Sequence, residues 1–147
     1  MNREIKFRGW DEDRKEMYNG DFIEENPAFT TGLSYGHLFI AKHDPDWREL
    51  TLMQYTGLKD KNGKEIYEGD IMKWESNGNC SISFVVWCLD RWRFNSYMGM
   101  GTLDLYPYVQ AIPSRYPKAE VIGNIYENPE LLSSELGAEV SDTMEAK

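Results

Sequence analysis

Between Leu50 and Phe94, turn signals recur so closely that only short strands fit between them. Short strands joined by tight turns build a small antiparallel barrel or sandwich. Leu50 to Tyr55 reads as one strand, and Lys59 to Tyr67 contains the dipeptide Asn62-Gly63. Asn-Gly readily takes the positive φ angles of a type I′ turn, whose twist matches a tight hairpin, so a hairpin is predicted there. Glu68-Gly69-Asp70 is a second turn leading into Ile71 to Trp74, and Ser76 to Asn79 is a third. The long run Cys80 to Leu89 follows, then a turn at Asp90-Arg91 and a further strand around Trp92 to Phe94.

The flanks are less regular. Arg3 to Trp10 alternates charged Glu4, Lys6 and Arg8 with Ile5 and Phe7, the period of a half-buried strand. Asp11 to Arg14 is a polar turn before Met17 and Tyr18, and Asn19 to Trp47 reads as loop with short strands, the clearest at Leu38 to Ile40. Met98 to Thr102 is a break, Leu103 to Ile112 is ambiguous, and Pro113 to Pro117 is loop. Glu120 to Tyr126 reads as a late strand. Asn128 is placed as a helix N-cap with Pro129 at the first helical position, for a helix through Leu131, Leu132 and Leu136 that stops at Gly137. The expected fold is mainly β (β-rich α+β): a small antiparallel SH3-like barrel with an N-terminal β segment and a short C-terminal helix. One domain is expected over 1–137, divided into strands and loops (1–50), a barrel-like core (51–126) and the helix (127–137), with 138–147 a disordered acidic tail.

At 147 residues the chain can bury one real core unaided. It lacks a run of about 18 apolar residues and a secretory h-region at its start, so a cytoplasmic location away from membranes is expected. Cys80 and Cys88 lie on one predicted strand, roughly 26 Å apart if it is continuous, which excludes a disulfide between them. Both are read as core, on a face shared with Ile82, Phe84 and Val86. Of the net charge of −9, the stretch from Glu127 onward carries −5. The remainder is a mildly acidic mixed surface, which disfavours nonspecific attraction to a phosphate backbone.

No motif carries recognisable chemistry, and neither a catalytic residue, a metal nor a cofactor is expected. Gly32-Leu-Ser34-Tyr-Gly36 matches the nucleophile-elbow pattern, but both histidines lie immediately downstream and no βα repeat surrounds it. His37 and His43 with Asp44 and Asp46 could begin a metal site, yet nothing distant completes a shell, and Pro45 with its aspartates suits an exposed turn. Asp60 to Gly63 places its glycine at the fourth position of a calcium loop that needs it at the sixth. Glu65, Glu68 and Asp70 are read as turn-capping acids rather than a catalytic pair. The glycines around Met100 lack the context of a phosphate loop.

Arg91-Trp92-Arg93-Phe94 is the best nucleic-acid candidate, since bases stack on aromatics while guanidinium groups hold phosphates. The competing reading is a strand with two core aromatics and two solvated arginines. Twenty aromatics are more than a core of this size hides easily, so some of Tyr97, Tyr106, Tyr108, Tyr116 and Tyr126 are expected at protein contacts.

Three segments, Arg3 to Asp11, Leu52 to Ile71 and Glu120 to Leu132, together resemble the YopX-like proteins of phages and prophages. Family members more often carry a small non-glycine residue where Gly9 stands. The resemblance implies a phage or prophage origin, a barrel-containing β-rich fold and self-association, and it carries over no catalytic residue. The leading expectation is a noncatalytic phage accessory protein that binds proteins, first itself as a homo-oligomer and then a host or phage factor. A nucleic-acid-binding barrel centred on Arg91, Trp92 and Arg93 is the alternative, and an acidic DNA mimic that inhibits a host DNA-binding enzyme is the third.

Overall fold

The computed structural model describes residues 4–43, 46–76, 78–88, 91–95, 102–109 and 118–135. The chain divides into two compact units, Met1–Tyr55 and Thr56–Lys147. The expected break at Met98 to Thr102, apart from Thr102 itself, the loop at Pro113 to Pro117, the helix stop at Gly137 and the acidic tail lie outside the described residues.

In the first unit, β1 (Phe7–Asp11) pairs antiparallel with β2 (Glu16–Tyr18) on one side and with the first half of β6 (Thr51–Lys59) on the other. Between them come α1 (Gly20–Glu25), β3 (Phe29–Ser34), β4 (His37–Lys42) and β5 (Arg48–Glu49). The strands form a second antiparallel sheet in the order β3-β4-β5. Sequence periodicity misses α1 because six residues are too few to show it. Its local cause is a cap: Asn19 Oδ1 accepts from Phe22 N–H at 2.9 Å, and Asp21 sits favourably in the first turn. Tyr18, Ile23, Phe29, Ile40 and Leu50 bury the core of this unit, with Phe7 and Leu52 packed on it. Leu50 fills the space beside Gly9, where an added Cβ would come within 2.8 Å of Leu50 Cδ1.

In the second unit, β6 passes Asp60 to β7 (Glu65–Tyr67), and a five-stranded antiparallel sheet runs β11-β10-β9-β8-β12. Its strands are β8 (Asp70–Ser76), β9 (Asn79–Cys88), β10 (Arg91–Asn95), β11 (Thr102–Asp104) and β12 (Glu120–Asn124). The sheet curls into a half-barrel around Ile66, Met72, Trp74, Val85, Phe94, Leu105 and Ala119. Trp74 and Phe94 stack at 4.4 Å between ring centroids, and Tyr108 packs edge-on against Phe94 at 5.3 Å. Such aromatics supply large buried area together with about 0.5–1.5 kcal/mol per pair beyond it. The fold is thus mainly β and antiparallel with a small C-terminal helix, as the turn spacing indicates.

The helix α2 (Glu130–Glu135) covers the other face of this sheet, with Leu132 buried against Ile71 and Ile82 and Leu131 packed alongside. The cysteines are not core residues. They share the face of Ile82 and Phe84, but α2 covers only the middle of it, so Cys80 is exposed and Cys88 half-buried, both as free thiols. Asn128 differs from its expected role as well. Its Oδ1 accepts from Asn124 N–H at 3.2 Å, so the side chain reaches back to the strand instead of capping the helix.

The tight type I′ hairpin is real but lies elsewhere. Tyr35 (φ 50°) and Gly36 (φ 82°) form the two-residue turn between β3 and β4, with Ser34 paired to His37. At Asp60 to Lys64, only Gly63 takes a positive φ (83°), and the connection is three residues long. Asp60 is the reason. Its Oδ1 accepts from Asn62 and Lys64 N–H, and its Oδ2 accepts from Val121 N–H at 2.9 Å, so the turn is shaped to hold β12. Asn124 repeats the device, its Oδ1 accepting from Tyr126 and Glu127 N–H before α2 begins.

Candidate functional site

Arg91, Trp92 and Arg93 lie on β10, and strand alternation splits them. Trp92 points with Phe94 toward the half-barrel core and meets Trp87 edge-on at 4.9 Å. Arg91 and Arg93 share the opposite face, where both reach Asp104 on β11, at 3.2 Å from Arg91 Nη1 and 3.4 Å from Arg93 Nε. One carboxylate thus offsets much of the charge that a phosphate would meet, and the indole that could stack on a base lies on the other side of the sheet. The structure does not bring the three residues together as one surface.

The remaining motifs resolve into structure. Ser34 ends β3 in a hairpin rather than a strand-to-helix elbow. His37 and His43 stand at opposite ends of β4, about 20 Å apart along an extended strand, too far to share a metal. His43 stacks on Trp47 at 6.4 Å between centroids, while Asp44 lies outside the described residues. Asp70 is buried and accepts from Tyr67 N–H at 2.8 Å, which is the turn-capping role. Of the tyrosines expected at contacts, Tyr106 is exposed, Tyr108 is half-buried in the core and Tyr126 is half-buried. Tyr97 and Tyr116 lie outside the described residues.

Two features escaped the sequence. The first is a buried ion pair: Arg48 Nη2 donates to Asp11 Oδ2 at 2.8 Å, and Asp11 Oδ1 also accepts from Asp13 and Arg14 N–H. The Arg48 hydrogen bond holds the Asp11 carboxyl below its ordinary range, against the opposing effect of burial, and Asp11 in turn raises Arg48. Asp11 is recognisable locally as a turn former, but nothing marks a partner 37 residues away.

The second feature is the tip of the β3–β4 hairpin. Leu33 and Leu38 are cross-strand partners, 69% and 50% exposed, and Tyr35 at the turn is fully exposed. Near its root the same face carries Phe29 and Ile40, both buried in the unit's core. An apolar cleft of roughly 270 Å³ opens on this face, lined by Ile23 and Glu24 of α1, Thr31, Leu38, Ile40 and Leu52. Apolar surface of this kind is what protein contacts bury.

The sequence matches the YopX protein family over residues 6–133. The chain belongs to the YopX family. Two solved structures of similar fold fit this membership. Protein EF1440 from Enterococcus faecalis is 26% identical, with a TM-score of 0.50, over 89% of this chain and 99% of that one. YopX from Bacillus subtilis is 19% identical, with a TM-score of 0.56, over 88% of this chain and 98% of its own, and it speaks to the fold alone. No match is found among curated proteins. Among the described residues, no helix is long and apolar enough to cross a membrane.

Proposed function

We propose that this YopX-family chain is a noncatalytic protein-interaction module of phages and prophages that self-associates and acts in the host cytoplasm on a host or phage protein. One observation carries the reading: the β3–β4 hairpin extends its apolar face beyond the core that covers its root, leaving Leu33 and Leu38 to solvent with Tyr35 at the apex. Scattered exposed apolar residues are ordinary, but a cross-strand apolar pair beside an apolar cleft is a contact surface in search of its other half. Two of the carboxylates considered for chemistry support turns: Asp70, weighed for catalysis, accepts from Tyr67 N–H, and Asp60, weighed for calcium, accepts from the N–H groups of Asn62, Lys64 and Val121.

Sedimentation velocity of the purified chain beside a Leu33→Ser/Leu38→Ser variant tests the reading. Concentration-dependent association of the wild type, lost in the variant with unchanged circular dichroism, is expected. A wild type that stays strictly monomeric when concentrated and captures nothing from host lysate would contradict it.

A further inference from the structure

We infer that the free edge of β3 is the self-association surface, and that it pairs antiparallel with the same edge of a second copy about a two-fold axis at Thr31. The inference rests on the self-association reading above and names its site.

The hydrogen-bond phase of the hairpin leads to it. In a two-residue hairpin the residues flanking the turn exchange both bonds, so Ser34 with His37, Gly32 with Phe39 and Thr30 with Ala41 are bonded pairs. The residues between them must turn their backbone groups away. Three contacts confirm this alternation: the Ile40 carbonyl accepts from Leu50 N–H on its other side, His43 N–H donates to the Ala28 carbonyl in the bonded phase, and Phe29 N–H donates to Asn26 rather than to β4. Thr31 and Leu33 therefore direct both N–H and C=O outward, as Phe29 does its carbonyl. Among the described residues, β3 ends its sheet and no strand pairs with that side.

Such edges invite another strand, and folded proteins blunt them with lysine, proline, bulges or inward charge. None of these devices is present in Phe29-Thr-Thr-Gly-Leu-Ser34, an uncharged stretch in a chain of net charge −9. That charge pattern selects a second copy: two identical acidic proteins repel wherever their charges meet, and this edge can lie against itself without a charge opposing its like.

The phase and the pairing of apolar side chains together set the register. Outward-facing residues must oppose each other, and opposed residues must share a face. An axis at Thr31 meets both conditions. It sets Thr31 against Thr31 of the partner subunit and Leu33 against Phe29 of the partner subunit, with Leu33 on the apolar face that bears the cleft. Each Leu33 N–H would donate to a Phe29 carbonyl, and the two Thr31 residues would exchange bonds. An axis at Gly32 would also oppose outward-facing residues, but it would set Leu33 against Thr31 of the partner subunit and forgo the apolar pair of Leu33 with Phe29.

Sedimentation velocity with three kinds of variant tests this edge separately from self-association as such. Thr31→Pro removes an outward N–H without touching the β4 ladder, and Leu33→Lys places a charge on the edge. Each is expected to weaken dimerisation about tenfold or more while leaving the circular dichroism unchanged. In a background with Cys80 and Cys88 replaced by Ser, Thr31→Cys should link two copies through a short bismaleimide. Ser34→Cys, roughly 20 Å from its counterpart in this register, should not. Should Thr31→Pro fail to fold, Leu33→Lys and the cross-links decide. A wild type that associates with both edge variants unaffected, or that links equally through residues 31 and 34, overturns the edge and leaves self-association standing. A monomeric wild type overturns both and leaves a strand of another protein as the occupant.

Discussion

Both units of this YopX-family protein are built from antiparallel strands with apolar faces, yet they cover those faces differently. In the second unit, the central strands β8 and β9 are covered on both sides, by the half-barrel core around Trp74, Val85 and Phe94 and by Leu131 and Leu132 of α2. Two turn devices, Asp60 on Val121 and Asn124 on the approach to α2, hold these covers in place. In the first unit, α1 and β6 cover the root of the β3–β4 hairpin, and its tip continues past them. The same alternation of apolar residues therefore yields a core in one unit and a contact surface in the other. What separates the two outcomes is whether the chain supplies the second layer.

The contrast can be broken at both ends. The largest effect is expected from Phe94→Ala, which empties a fully buried site in contact with Trp74 and Tyr108 and should cost about 3–5 kcal/mol. Calorimetric melting measures it, and a loss below about 1 kcal/mol would deny the second unit its packed core. Gly123→Ala comes next, since its Cβ would fall 2.5 Å from Asn128 Oδ1. It should cost about 1–3 kcal/mol and raise hydrogen exchange in the α2 segment before the rest of the sheet. Uniform exchange across the unit would mean that α2 is not separately held.

In the first unit, Asp11→Asn removes the carboxylate paired with Arg48 and should cost about 1–2 kcal/mol at neutral pH. The pH dependence has a definite sign. The carboxyl is lowered in the fold, so its contribution is fully present above its unfolded value of about 3.9 and fades as pH falls below that. Wild type and variant should therefore converge in stability under acid, and a constant gap from neutrality to strong acid would count against the pair. The smallest effect on monomer stability is expected from Leu33→Ser, within about 0.5 kcal/mol, because the residue is already 69% exposed. Only association should change. A large loss of monomer stability would show that the tip is covered after all.

Much of the second unit was legible from its turns, because Glu68-Gly69-Asp70 and Ser76 to Asn79 bracket β8 and set off β9 after it. The wrong turn type at Asn62-Gly63 shows where local rules stop. The dipeptide permits a type I′ turn, but Asp60 commits its carboxylate to Asn62, Lys64 and distant Val121, and this long-range bond decides the geometry. The type I′ turn fell instead to Tyr35-Gly36, where tyrosine accepts an unfavourable φ and gives no sequence signal. Cys80 and Cys88 were placed on the right face of the right strand. Only the reach of α2, a tertiary fact, shows that this face is uncovered at its ends. The candidate surface was not legible: the aromatic excess pointed to Tyr97, Tyr106, Tyr108, Tyr116 and Tyr126, whereas the surface is formed by Leu33, Tyr35 and Leu38. Its location depends on where the core of the first unit ends, which no local pattern records.

The most direct measurement is residue-resolved amide hydrogen exchange over a range of protein concentration. Thr31 and Leu33, whose N–H groups face outward from β3, should become protected as concentration rises, while Thr30 and Gly32, already bonded to β4, should not change. Equal exchange of Thr31 and Leu33 at all concentrations would contradict the assignment of this hairpin as the surface through which two copies meet.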